Sequence, residues 1–173
     1  MKIVFLALIL LLPAGLAQCS DYIRSAEDAV YTCDFDSVKI DFHNVYHCFE
    51  AGKEYLDAAI CLKASGKDAQ SQYDSSLYYL KNSIPKLSEV GDFQYKAKAY
   101  EKIAVAYEGM ESFELSRQYY SLAMQEYQRN GEIAESSRVN VLMSNVGGNI
   151  FLVTPDTGED SIVPGPAQDN SYL

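Results

Sequence analysis

IAVAYEGMESFELSRQYYSLA, residues 103–123, holds two amphipathic helices and the turn between them. Ile103, Ala104 and Tyr107 share one helical face with Ala97 and Tyr100 just upstream. Leu115, Tyr119, Leu122 and Ala123 share a face on the second helix, and steps of three and four are the helical period. A short connection between two such helices makes an antiparallel hairpin, and a lone hairpin leaves its apolar face in water. The chain therefore needs further copies. Gly91-Asp92 is echoed by Gly131-Glu132, each pair ahead of a helix, at an offset of about 40. Tyr73, Ser76, Leu80 and Ser83 precede Phe113, Ser116, Tyr120 and Ala123 by the same offset. One hairpin thus recurs at a fixed period, the mark of a stacked array.

Outward from this unit the pattern stays helical from residue 20 to about residue 146, because glycine and proline are sparse and apolar residues recur three or four apart. Ser20 or Asp21 is a suitable cap for a first helix ending near Tyr31. Phe35, Val38, Phe42, Val45 and Phe49 form one stripe, Gly52 reads as a soft break, and Tyr55 to about Ser65 continues as helix. SGKDAQS (65–71) is a turn, and Pro85 is expected to kink or end the next helix. RNGE (129–132) stops the second helix of the opening pair, and a last helix runs from about Ile133 to Asn145. NIFLV (149–153) is expected to add a short strand or a docked segment. The remaining chain, rich in Pro, Gly, Asp and Ser, is expected to be a disordered tail.

Tyr100, Ile103-Ala104, Tyr107, Phe113, Ser116, Tyr120 and Ala123 stand at the spacing of the tetratricopeptide repeat signature, which the chain resembles over residues 92–130 and more weakly over 52–88. Ser116 takes the place of the usual alanine, and Glu111 stands where that family often has glycine. Residues 132–146 are then a capping helix. The resemblance implies a short all-α array of antiparallel hairpins, an α-solenoid with a concave groove for a peptide or protein partner. It places Lys98, Glu101, Val105 and Glu108 on the groove face. Lys98 and Lys102 match part of the pattern that clamps a C-terminal carboxylate in that family, but Glu101 and Val105 depart from it, so capture of a C-terminal carboxylate is not expected.

MKIVFLALILLLPAGLAQCS has a basic start, a short apolar run and small residues near Ala17. This is the layout of a signal peptide over 1–18, with the helical domain over 19–146 and the tail over 147–173. The alternative is a lipoprotein signal, which Leu16-Ala17-Gln18-Cys19 resembles and in which Cys19 is lipidated and attached to a membrane. Both put the folded part outside the cytoplasm, secreted or anchored on the outer face of the membrane, where disulfides form. Cys19 and Cys33 would be about 21 Å apart along a helix, too far to bridge. The same holds for Cys48 with Cys61. In an antiparallel hairpin facing residues have a constant index sum. That favours Cys19–Cys61 with Cys33–Cys48, while Cys19–Cys48 with Cys33–Cys61 remains open.

At 48% hydrophobic the chain has a core to bury, and a net charge of −10 without basic clusters argues against nucleic acid as a partner. His43 and His47, at i and i+4, have a spacing that suits a shared metal, which makes a small extracytoplasmic metal-binding protein one rival reading, beside a membrane-anchored envelope lipoprotein of structural or assembly role. A third ligand is not evident, so no metal or other cofactor is expected. No nucleophile elbow or phosphate loop is present in the sequence, and an enzyme is not expected.

Overall fold

The computed structural model describes residues 14–33 and 42–148, with side chains described for 19–31, 33 and 45–148. Most of the expected signal segment, the NIFLV segment and the expected tail beyond residue 148 lie outside the described residues. Within them the chain is all-α: α1 (Ala14–Thr32), α2 (Phe42–Ala64), α3 (Gln70–Glu89), α4 (Phe93–Gly109), α5 (Phe113–Arg129) and α6 (Ile133–Asn145). Each helix packs on its neighbours in sequence, and α2 also touches α4. This is a short stack of antiparallel helical hairpins. Its units are α2–α3 and α4–α5, with α6 closing one end and α1 the other.

The turns explain the period. At the ends of α3, α4 and α5 the chain enters the left-handed region at Gly91 (φ +76°), Glu111 (φ +60°) and Gly131 (φ +78°). Each turn closes in the same way. Asp92, Ser112 and Glu132 donate their backbone N–H to the carbonyls of Leu87, Tyr107 and Tyr127, five residues back, at 2.8–2.9 Å. These are helix-ending motifs that normally use glycine. The structural unit is therefore one helix with its turn, and two such units make the recurring hairpin. The middle turn carries Glu111, a residue with a Cβ where the left-handed conformation costs about 1 kcal/mol or more. Its side chain gains only an exposed pair with Lys63 at 3.3 Å, of little worth. Glu111→Gly is expected to stabilise the fold by about 1 kcal/mol, read as a higher urea midpoint. A lower midpoint would contradict the turn assignment.

Two apolar cores share α4. Val45, Phe49, Leu56, Leu77, Leu80 and Ile103 belong to the first, and Tyr120, Ala123, Tyr127 and Val139 to the second. Ala97, Ala99, Ala104 and Ala106 are fully buried around α4, and small residues on both flanks let its neighbours approach. Ser76 and Ser116, at equivalent positions of α3 and α5, are buried with no hydrogen-bond partner for their hydroxyls among the described residues. Ser116→Ala is expected to stabilise by about 1 kcal/mol by removing an unsatisfied hydroxyl. Thermal unfolding checks it, and a lower midpoint would show that the hydroxyl has a partner.

Three local expectations are corrected. Helix α1 begins at Ala14, so Ser20 and Asp21 lie inside it and cap nothing. Gly52 does not break α2, which runs unbroken to Ala64. It is a seat for Leu80, since a Cβ at Gly52 would stand 2.6 Å from Leu80 Cγ and 3.0 Å from Leu80 N. Pro85 does not end α3. Its ring points outward, while Leu80, Ser83 and Leu87 around it are buried, and their packing outweighs the lost backbone hydrogen bond.

The cysteines take the nested arrangement. Cys19 bonds Cys61 with Cα atoms 5.5 Å apart, and Cys33 bonds Cys48 at 4.7 Å. The two bridges rivet α1 to α2 near both ends of that antiparallel pair.

Candidate functional site

The first helices of the successive units, α2, α4 and α6, line a groove of about 450 Å³. Equivalent positions on these three helices face it. The turn at Gly66 is the counterpart of the turn at Glu111, and the turn at Gly91 is the counterpart of the turn at Gly131. Carrying Tyr95 and Lys98 across by those two offsets gives Glu50 and Lys53 on α2, and Glu135 and Arg138 on α6. All six line the groove. The stack thus presents a cation at the same position of each first helix, Lys53, Lys98 and Arg138, and α4 adds Lys102.

Helical spacing splits α4 into two stripes. Tyr95 and Lys102 lie on the side toward α2, and Lys98 stands between the two stripes with its amine drawn to the Tyr95 ring. The Tyr95 ring meets Phe49 and Tyr46 edge to face, with centroids 5.2 and 5.3 Å away. The Lys98 amine lies over the same ring, 4.9 Å from its centroid. Burial, helped by the nearby Glu50 and Tyr95, pushes the Tyr46 hydroxyl up to about 12, so this aromatic floor is neutral at ordinary pH. Lys53 lies 3.8 Å from Glu50. Lys102 has no carboxylate partner among the described residues.

Gln94 and Glu101 form the other stripe, toward α6. Arg138 donates two parallel hydrogen bonds to Glu101, both 2.8 Å, and a third to Glu135, also 2.8 Å. The Tyr127 hydroxyl donates to Glu101 at 3.2 Å. The Glu101 bonds hold the guanidinium proton and raise the pKa of Arg138, while burial and Glu101 raise that of Tyr127. This network ties α4, α5 and α6 together and forms the groove's far wall. Glu132, in the preceding turn, extends it.

Of the four residues placed on the groove face by the resemblance, Lys98 and Glu101 line it. Val105 is half-buried and packs against both cores. Glu108 is half-buried and accepts a hydrogen bond from the Tyr120 hydroxyl at 3.4 Å, and it is not among the groove-lining residues. Burial raises the Glu108 pKa above the ordinary 4.5, and the Tyr120 bond offsets this only in part. A carboxyl with a raised folded-state pKa binds protons more readily when folded. Its stabilising contribution is complete below about 4.5 and is lost as pH rises through the raised value. Glu108→Gln is expected to melt higher than wild type at neutral pH, the gap closing as pH falls through the raised value and gone below about 4.5. A gap that widens on acidification would contradict this.

His43 and His47 lie one turn apart in α2. The His43 side chain lies outside the described residues, and Cys48 is engaged by Cys33. Among the described residues no group of three or more His, Cys, Asp or Glu is placed to hold a metal. No helix there is long and apolar enough to cross a membrane.

No family model, curated protein or solved structure matches the chain.

Proposed function

We propose that this chain is an exported binding module, tetratricopeptide-like in design, that offers the α2–α4–α6 groove to a peptide or protein partner. The observation that carries the reading is the alignment of equivalent groove positions on three successive first helices, converging on one concave surface. A helical stack needs packing residues at its equivalent buried positions, and Arg138 also braces the stack through Glu101, but nothing in packing requires a cation at Lys53 and Lys98 beside an aromatic platform. No catalytic role is assigned: Glu101, Glu135 and Arg138 are tied to one another, and no nucleophile stands beside a base among the residues that line the groove. The two bridges support work in an oxidising compartment. They also support a soluble mature form over a lipid anchor, since the Cys61 bond occupies the Cys19 sulfur that lipidation needs.

A photo-crosslinking residue at position 102, in the groove, compared with one at Gln118, exposed on α5, tests the reading. A partner adduct from position 102 and not from 118, in material from the organism's own extracytoplasmic compartment, is the expected result. Equal adducts from both positions, or none, would overturn it.

A further inference from the structure

We infer that the groove reads charge polarity: it takes a peptide segment whose acidic side chain sits at Lys98 and Lys102 and whose basic side chain sits at Glu132 and Glu135. This rests on the groove being a peptide site, as proposed above. The two sides of the groove carry opposite excess charge. Among the residues that line the groove, the α2 side carries Lys53, Lys98 and Lys102 with one carboxylate, Glu50. On the α6 side, Glu101, Glu132 and Glu135 face one cation, Arg138. The side-chain contacts on α4 hold the separation: Lys102 shares the side of Tyr95, the Lys98 amine lies over the Tyr95 ring, and Glu101 is turned to Arg138.

The cations are unevenly satisfied. Arg138 is paired with two carboxylates, Glu101 and Glu135. Among the described residues Lys98 meets only the face of Tyr95, and Lys102 meets no carboxylate. In a chain of net charge −10, two lysines without carboxylate partners in a concave site are an exception to the surrounding field. A ligand carboxylate there pairs with both and lies beside an aromatic ring, whose nearness lowers the local dielectric. Opposite them, Glu132 accepts only a long side-chain contact from Asn130, 3.4 Å, and half of Glu135 remains open to a ligand cation. A wholly acidic peptide would satisfy the first side and be repelled by the second. A wholly basic one would meet the reverse. The polarity therefore selects a mixed-charge segment in one orientation, and repulsion excludes the alternatives.

The test is a random-peptide library panned on the oxidised full chain, followed by affinity measurement for the best-enriched synthetic peptide. The wild type is expected to enrich peptides that carry an acidic and a basic residue separated by a short spacer. Three variants are compared, each checked for helicity and intact bridges: Lys98→Glu with Lys102→Glu, Glu132→Lys, and Gln94→Trp, which fills the groove without changing its charge. Binding lost in Gln94→Trp and about tenfold weaker in each charge variant supports the inference. Binding lost in Gln94→Trp yet unchanged by the charge reversals overturns the inference and leaves the groove reading intact. No enrichment, or enrichment indifferent to all three variants, overturns both.

Discussion

Replacing Cys19 and Cys61 together by serine is expected to lower the folding free energy by about 4 kcal/mol, the chain-entropy value for a bridge spanning 42 residues. The packing of α1 gives the reason for choosing this bridge. Among its described side chains only Cys19 and Ala26 are buried, so α1 brings little apolar surface to hold itself on α2. A helix with so narrow an apolar contact gains little from propensity alone. The bridge supplies by covalent constraint what the core does not. Urea unfolding of the oxidised variant should show a lower midpoint, and limited proteolysis should cut α1 before α4 or α5. Equal midpoints for variant and wild type would show that α1 lies outside the cooperative unit, or that the bridge does not form.

The second large effect is expected at Arg138. Glu101 is nearly buried, with its side chain 12% exposed, and its charge is compensated by Arg138 and the Tyr127 hydroxyl. Arg138→Met leaves that carboxylate with one neutral donor. Stranding a fully buried charge costs about 3–5 kcal/mol. Arg138 is itself 28% exposed and water reaches the network from the groove, so about 2–3 kcal/mol is the expected loss. The companion variant separates the pair from its desolvation. Arg138→Met combined with Glu101→Gln is expected to recover a large part of the loss, because the uncompensated charge is gone. Chemical denaturation of the two single variants and the double variant gives the coupling. Strictly additive losses would mean that Glu101 and Arg138 do not act as a pair in solution.

The same residues show what the sequence makes legible. The array is readable because Gly91 and Gly131 announce left-handed turns one full period apart. The finer unit of a single helix and its turn is hidden by Glu111, which takes the same conformation without glycine's signature. Gly52 and Pro85 mislead for a common reason. Local rules treat both as breaks, but one makes room for Leu80 and the other sits on the outer side of a helix anchored by its buried neighbours. Lys98 and Glu101 are readable as groove positions from the resemblance. Arg138 lies one full period beyond Lys98 and is legible once the period is applied to polar positions as well as apolar ones. Lys53 is harder to find. The Gly66 turn stands farther from Gly91 than Gly91 does from Glu111, so the longer α3 throws α2 out of the common register. The Tyr95 platform depends on Tyr46 and Phe49 arriving from another helix, which no spacing within α4 reveals.

Backbone amide chemical-shift mapping of the oxidised protein, titrated with the best-enriched library peptide, tests the groove most directly. The account predicts saturable shifts concentrated at Lys53 on α2, Tyr95, Lys98 and Lys102 on α4, and Glu135 and Arg138 on α6, with α5 outer-face residues such as Gln118 and Leu122 unmoved. Shifts centred on that outer face, or an absence of saturable shifts in the groove, would contradict it.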